Sequence, residues 1–280
     1  MNELSQLTRQ HYEKNETGNS LLSKVTTILD SLPDKPLESS QLAGLDQFHV
    51  MGLEATKQLA QIAGIQRGAA VLDAGSGLGG PSRYLASTYG CRVVGVDLSV
   101  SFVAVAQLLA QRTGLSALVS YETGDLLALT FPDSGFDIVW TQHVVMNISD
   151  RERVYREFRR VLRPGGKLAF YDILAADAKP ELHFPVPWAE SSETSFLFTQ
   201  DETSSVLATA GFTITTWNDV TIEALNWIGQ QRPSTQGFSL GVVMGPRFAE
   251  MGANFARNTR EGRVRFVMGV CTADGGRSWA

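Results

Sequence analysis

The chain has 280 residues, 43% of them hydrophobic, which is ample for one core. Its 24 Lys and Arg do not outnumber its 29 Asp and Glu, and the formal charge of −5 lacks the basic footprint of a nucleic-acid binder. Two cysteines, Cys91 and Cys271, make neither a disulfide framework nor a metal set, and His11, His49, His143 and His183 have no ligand spacing, so no metal is expected.

Residues 1–18 are polar and lack the apolar core of a signal segment. The longest apolar stretch, near 102–110, contains Gln107 and is too short to span a bilayer. A soluble, cytoplasmic protein without a membrane partner is the expectation. Leu21, Leu22, Val25, Ile28 and Leu29 recur at helical spacing until Pro33, and 37–42 suggests another short helix. Residues 1–52 therefore read as a helical lid over the ligand end of a core. The junction 46–52 packs Asp46, Phe48 and His49 densely; His49 is either a ligand-facing group or a mere cap. A helix over 53–63 ends at Gly64.

The next stretch organises the chain. An apolar run over 69–72 reads as a buried strand and breaks into Asp73-Ala74-Gly75-Ser76-Gly77-Leu78-Gly79-Gly80, after which Pro81 opens a helix to residue 89. Glycines let a backbone turn tightly and approach a ligand closely, and N–H groups at the helix start are expected to face that ligand. Gly75-x-Gly77-x-x-Gly80 also fits a dinucleotide fingerprint. Asp73 discriminates: a carboxylate there would repel a pyrophosphate and suit a cationic amino group, unless it only caps the turn. A second strand over 91–96 ends in Asp97, about twenty residues past the glycines, where an acid can hold a ribose diol. Ser99 caps a helix whose stripe Phe102, Val105, Ala106 and Leu109 reads as core. A third strand over 117–122 leads to Gly124-Asp125-Leu126, where an acid could accept from an adenine amino group.

Residues 131–135 form a turn before a strand over 136–141, and the C-terminal end of such a strand is where an open α/β sheet puts its chemistry. Gln142-His143-Val144-Val145-Met146-Asn147 lie there. Ser149-x-x-Glu152 reads as a capping box opening a helix with Val154, Phe158, Val161 and Leu162 inward. Its arginines, from Arg151 to Arg163, read as a solvated face. Pro164-Gly165-Gly166 turns into a strand over 167–173 that carries Tyr171 and Asp172 to the ligand edge. Residues 175–198 are irregular and aromatic, either an acceptor-pocket wall or a strap over the sheet. A second capping box, Thr199-x-x-Glu202, opens a helix ended by Gly211. A strand over 212–217, helical pieces over 224–255 interrupted at 233–237, and a last strand over 263–272 complete the chain.

From about 69 to 174, these motifs match in type, order and spacing, and the chain resembles class I S-adenosylmethionine (SAM)-dependent methyltransferases. The subgroup it is similar to holds the ubiquinone/menaquinone C-methyltransferases and the sarcosine/dimethylglycine N-methyltransferases. The resemblance implies an α/β, Rossmann-like, mostly parallel seven-stranded sheet of order 3-2-1-4-5-7-6. A single domain over 1–280 then comprises a lid (1–52), a SAM-binding core (53–174) and an acceptor side (175–280). The implied cofactor is SAM, with S-adenosylhomocysteine as product. Its implied contacts are Asp73, Gly75, Ser76, Gly77 and Gly79 in the loop, Asp97 and Leu98, then Gly124, Asp125 and Leu126, and finally Gln142 and His143. His143 and Asp172 are the candidate catalytic groups. His49, Met146, Asn147, Tyr171 and Trp188 are the candidate acceptor contacts. The expected activity is in-line methyl transfer to an N, C or O atom of a small molecule. An NAD(P)-dependent oxidoreductase and a SAM-binding protein without turnover are the rivals. Apolar lid and loop surfaces also suggest a homodimer.

Overall fold

The computed structural model describes residues 3–13, 21–33, 35–230 and 239–273. Its sheet has seven strands: β1 (Ala70–Ala74), β2 (Arg92–Asp97), β3 (Val119–Thr123), β4 (Phe136–Gln142), β5 (Leu162–Ala175), β6 (Phe212–Asp219) and β7 (Val264–Ala273). Their order is β3-β2-β1-β4-β5-β7-β6, as the resemblance implied. The first five strands pair in parallel, whereas β7 runs antiparallel between β5 and β6. Pro164-Gly165-Gly166 is not a separate turn but a bulge inside β5, where pairing shifts between Phe136–Leu162 and Ile138–Lys167.

Among the described residues four α-helices and a 3-10 turn (Ser39–Leu42) precede β1: α1 (Glu3–Glu13), α2 (Leu21–Asp30), α3 (Ala43–Asp46) and α4 (Gly52–Ala63). The core adds α5 (Gly80–Tyr89), α6 (Val100–Arg112) and α7 (Arg151–Val161). The acceptor side adds α8 (Gln200–Thr209), α9 (Thr221–Gln230), α10 (Leu240–Met244) and α11 (Phe248–Arg260). One face of the sheet packs against α4, α5, α6 and α11 through Leu59, Leu85, Ala106 and Phe255. The other packs against α7 and α8 through Val154, Phe158 and Leu207. Both faces are covered, so the central strands read as continuous apolar runs. A third cluster joins Val25 and Leu29 of α2 to Phe102, Val105 and Leu109 of α6, which docks the lid on the core.

Locally, the chain departs from its sequence signals at α1 and at two points on α7. Helix α1 carries no apolar stripe to announce it, because the face it buries is Ser5, Thr8 and His11. The helix after β4 is capped by Asp150, whose side chain accepts from Arg153 N at 3.0 Å, and not by Ser149. Arg151 is buried rather than solvated: its guanidinium donates to the carbonyls of Ile148 (3.2 Å) and Phe196 (2.9 Å) and lies over the Phe198 ring. The Thr199–Glu202 box forms both of its bonds. The interruption expected at 233–237 lies outside the described residues.

Candidate active site

A cavity of about 660 Å³ opens at the C-terminal edge of β1, β2 and β4, roofed by α1 and α3 and continued toward α9, α10 and α11. Its volume falls within the ~300–1,000 Å³ of small-molecule sites. Asp73 ends β1 and lines the cavity while nearly fully buried. Ser82 on α5 donates to its Oδ2 at 2.5 Å. Burial pushes the Asp73 carboxyl up to about 7, with the Ser82 bond opposing that rise.

The glycine loop is tied to the sheet by its own N–H groups. Gly75 N and Ser76 N both donate to Val96 O (2.8 and 3.0 Å), and Gly77 N donates to Asp97 Oδ2 at 2.9 Å. Those donors are therefore not aimed at a ligand, and recognition passes to side chains. Ser76 Oγ is buried in the lining without a hydrogen-bond partner. Asp97 holds two backbone donors, Gly77 N and Ser99 N, each at 2.9 Å, and faces the cavity. Leu98, Asp125, Leu126 and Gln142 also line it. Gly79 and Gly124 stand behind the wall instead. A Cβ on Gly79 would run into the Tyr121 phenol, and one on Gly124 would come within 2.9 Å of Val96. Gly80 serves the lid: a Cβ there would meet Asp46 O at 2.5 Å and Gln47 Nε2 at 2.8 Å.

Gly75 and Gly77 differ in what a side chain would disturb. Both have positive φ (+80° and +52°), but a Cβ on Gly75 would overlap Val144, whereas one on Gly77 would meet the Phe48 ring at an ordinary 3.5 Å. Gly77→Val thus carries backbone strain of about 1–2 kcal/mol, and Gly75→Val adds a steric clash. In thermal melts the Gly75→Val protein is expected to melt lower. Equal melting temperatures would contradict this placement of the loop.

At the other end, His143 lines the cavity with φ +53° while its backbone N–H donates to Tyr171 O at 2.7 Å. Burial, then the neighbouring His49, holds its imidazole well below the usual range, so it is neutral near pH 7. His143 Nε2 has no hydrogen-bond partner. His49 also lines the cavity and is pushed down to about 4 by burial. Its Nε2 lies 3.2 Å from Thr56 Oγ1 and its Nδ1 lies 3.3 Å from Val50 O. The Thr56 hydroxyl also donates to Gln47 Oε1 at 2.9 Å, so its one proton is shared among His49, Gln47 and Gln142.

Besides Gly79 and Gly124, Tyr171 and Asp172 are not in the wall. Successive β5 side chains point to opposite faces. Tyr171 points toward the α4–α6 layer and backs His143, ring centroids 4.6 Å apart. Asp172 points into the α7 layer, where burial pushes it up to about 7 against the pull of Arg151. It does not reach the cavity, so its candidate catalytic role is withdrawn. Met146 and Trp188 do line the cavity. Asn147 lines it too, but its polar atoms are occupied: Oδ1 accepts from Tyr12 at 3.1 Å, and Nδ2 donates to Trp188 O (2.8 Å) and Thr194 O (3.2 Å). It ties lid to strap.

Sequence reasoning missed Ser5, Thr8, Arg9 and Tyr12 on α1, and took Phe102 for core alone although it also faces the cavity. The apolar density of 224–255 was the available signal for the far wall, where Trp227, Met244 and Phe255 stand. Among the described residues no group of three or more His, Cys, Asp or Glu is placed to hold a metal, and no helix is long and apolar enough to cross a membrane.

Residues 72–170 match the methyltransferase-domain family. The phosphoethanolamine N-methyltransferase of Triticum aestivum is 35% identical over 133 residues, which is 48% of this chain and 26% of that protein. The match thus spans about a quarter of that relative's length. Geranyl diphosphate C-methyltransferase from Streptomyces coelicolor A3(2) superposes with a TM-score of 0.71 at 16% identity, covering 97% of this chain and 98% of that one. The [4+2]-cyclase SpnF superposes with a TM-score of 0.67 at 22% identity, covering 91% and 94%. Likeness at these identities speaks to the fold alone.

Proposed function

We propose, from the premise that residues 72–170 are a class I SAM-dependent methyltransferase domain, that this chain transfers the methyl group of SAM to a small-molecule acceptor. The observation that carries the reading is the pair of carboxylates on one wall, Asp73 beneath the loop and Asp97 held open by two backbone donors. A buried acid with a raised proton affinity suits a ligand that brings its own ammonium. The partnerless Ser76 hydroxyl offers a further contact. The sulfonium of SAM supplies an activated methyl: the acceptor's electron pair takes the carbon and the C–S pair returns to sulfur as a neutral thioether.

The remaining work falls to the chain's own residues. Asp97 orients the ribose, Asp125 stands where an adenine amino group can donate, and Asp73 neutralises the ammonium. Proximity and orientation supply the rate. His143, neutral and lining the cavity, can accept a hydrogen bond from an N–H or O–H acceptor and orient its lone pair toward the methyl; burial lowers the imidazole's own proton affinity, so the acceptor's proton leaves to solvent. Helices α1 and α3 of the lid, with Pro187 and Trp188 of the strap, exclude water.

The relatives' names mention phosphoethanolamine and geranyl diphosphate as acceptors. A second reading, SAM binding without methyl transfer, uses the same fold, since a fold does not fix an activity. Titration calorimetry with S-adenosylhomocysteine, against NAD⁺ and NADP⁺, tests the first step, and methyl release from labelled SAM over an acceptor panel tests the second. Nicotinamide binding alone would overturn both readings.

Asp73 also predicts a pH dependence. Its folded carboxyl is raised to about 7, so below that value a proton must leave before an ammonium binds. Affinity for S-adenosylhomocysteine should fall about tenfold per pH unit below 7 and level off above it. Asp73→Asn should bind weakly and flatten the profile. A slope that survives in Asp73→Asn would assign the titration to another group.

A further inference from the structure

We infer that the methyl acceptor is a neutral, largely apolar molecule seated in the lobe of the cavity enclosed by α9, α10 and α11. This deepens the proposed methyl transfer and rests on it. The lobe is made by side-chain size as much as by chain path. Helix α11 turns Ala249, Gly252, Ala253 and Ala256 toward the cavity, spaced on one helical face. Gly252 has nothing within 4 Å of where a Cβ would stand. Trp227 of α9 and Met244 of α10 close over this floor, and Trp188 walls it from the strap. The Trp188 indole N–H already donates to Ser195 Oγ at 3.0 Å, so the ring and not its donor faces the ligand.

The charges of these helices are spent elsewhere. Arg247 pairs with Glu250 at 2.9 Å and Arg257 with Glu261 at 2.8 Å, and none of the four lines the cavity. Among the described residues the cavity's ionisable groups lie at its cofactor end, and they are mostly acids: Asp46, Asp73, Asp97 and Asp125. Among the described lining residues the one guanidinium is Arg9, which already holds Glu13 at 3.0 Å. His49 and His143 are neutral and lend no charge. A phosphate or carboxylate on the acceptor would leave water for an apolar lobe, find no cation among its described residues, and face four carboxylates across the cavity. A neutral apolar molecule loses nothing polar on entry and gains the burial of its surface. Among the described residues the polar groups beside this lobe are neutral: His143 at the end of β4, whose Nε2 is buried without a hydrogen-bond partner, and the Ser239 hydroxyl before α10.

Matched pairs test the assignment in the full chain: 1-naphthol against 1-naphthyl phosphate, and 1-decanol against decyl phosphate. Each is titrated by calorimetry with and without saturating S-adenosylhomocysteine. The alcohols are expected to bind at least tenfold more tightly than their phosphates. Gly252→Leu, which fills the open space on α11 with a better helix former, should weaken alcohol binding at least tenfold and leave S-adenosylhomocysteine binding unchanged. Phosphates that bind as tightly as the alcohols, or alcohols that do not bind at all, overturn the assignment. If S-adenosylhomocysteine itself fails to bind, the methyl-transfer reading falls instead, and the titrations without it still report the lobe's preference.

Discussion

Asp97→Ala should lose one to two orders of magnitude in affinity for S-adenosylhomocysteine. The carboxylate is held in place before any ligand arrives, with Gly77 N on one oxygen and Ser99 N on the other, each at 2.9 Å. Burial raises its proton affinity, and these backbone donors oppose that rise. Each oxygen keeps a free lone pair for a ribose hydroxyl. Hydrogen bonds to a charged group are worth about 1.5–3 kcal/mol, or about 10- to 150-fold in affinity. Removing the carboxylate also strands the Gly77 donor and loosens the loop. Asp97→Asn keeps one acceptor oxygen and should fall between wild type and alanine. Calorimetry on the three proteins settles the point, and an alanine variant that binds like wild type would remove Asp97 from the cofactor site.

Asp46→Ala should cost about 3–5 kcal/mol of stability, the usual consequence of stranding a buried charge. Arg83 on α5 is fully buried, and its Nη2 donates to Asp46 Oδ2 of α3 at 2.5 Å. Arg83 Nη1 donates to Leu78 O at 2.8 Å, so the same guanidinium grips the glycine loop. Burial raises Asp46 to about 6 and outweighs the pull of Arg83. The pair is therefore ionised at pH 8, where urea unfolding should be followed. Such a pair is a clasp between lid and core more than a source of net stability. The double variant Asp46→Leu, Arg83→Met should accordingly recover most of the loss. A single variant within about 0.5 kcal/mol of wild type would mean that water or a rotamer change relieves Arg83. Because Asp46 also lines the cavity, cofactor affinity should fall in the single variant.

Much of the cofactor side was legible in the linear chain because its signals are local. Asp73, the glycines and Asp97 follow from strand ends and tight turns, which depend on neighbours in sequence. Even there the chemistry shifted. The loop's N–H groups go to Val96 and Asp97, and Gly79 and Gly80 make room for Tyr121 and the lid. Which partner claims a backbone donor depends on what the sheet brings alongside, and local spacing does not carry that.

The acceptor side was less legible. Tyr171 and Asp172 are adjacent, so a strand must send them to opposite faces, yet only the packing on those faces says that Tyr171 backs His143 and Asp172 turns to α7. Helix α1 escaped because it buries polar groups: Ser5 donates to Asp125 at 3.3 Å and Tyr12 to Asn147 at 3.1 Å. Those bonds span more than a hundred residues. Periodicity registers hydrophobic burial and is blind to burial satisfied by hydrogen bonds.

By itself, then, the sequence determined the alternation of strands and helices, the strand-end carboxylates and the glycine loop, because each is written in spacing and backbone permissiveness. Only the tertiary structure decided which of those groups face the ligand, that Arg83 and Asp46 clasp the lid, and that the far lobe is free of charge among its described residues. Those properties belong to sets of residues remote in the chain, and burial, pairing and electrostatic environment exist only once they have been brought together.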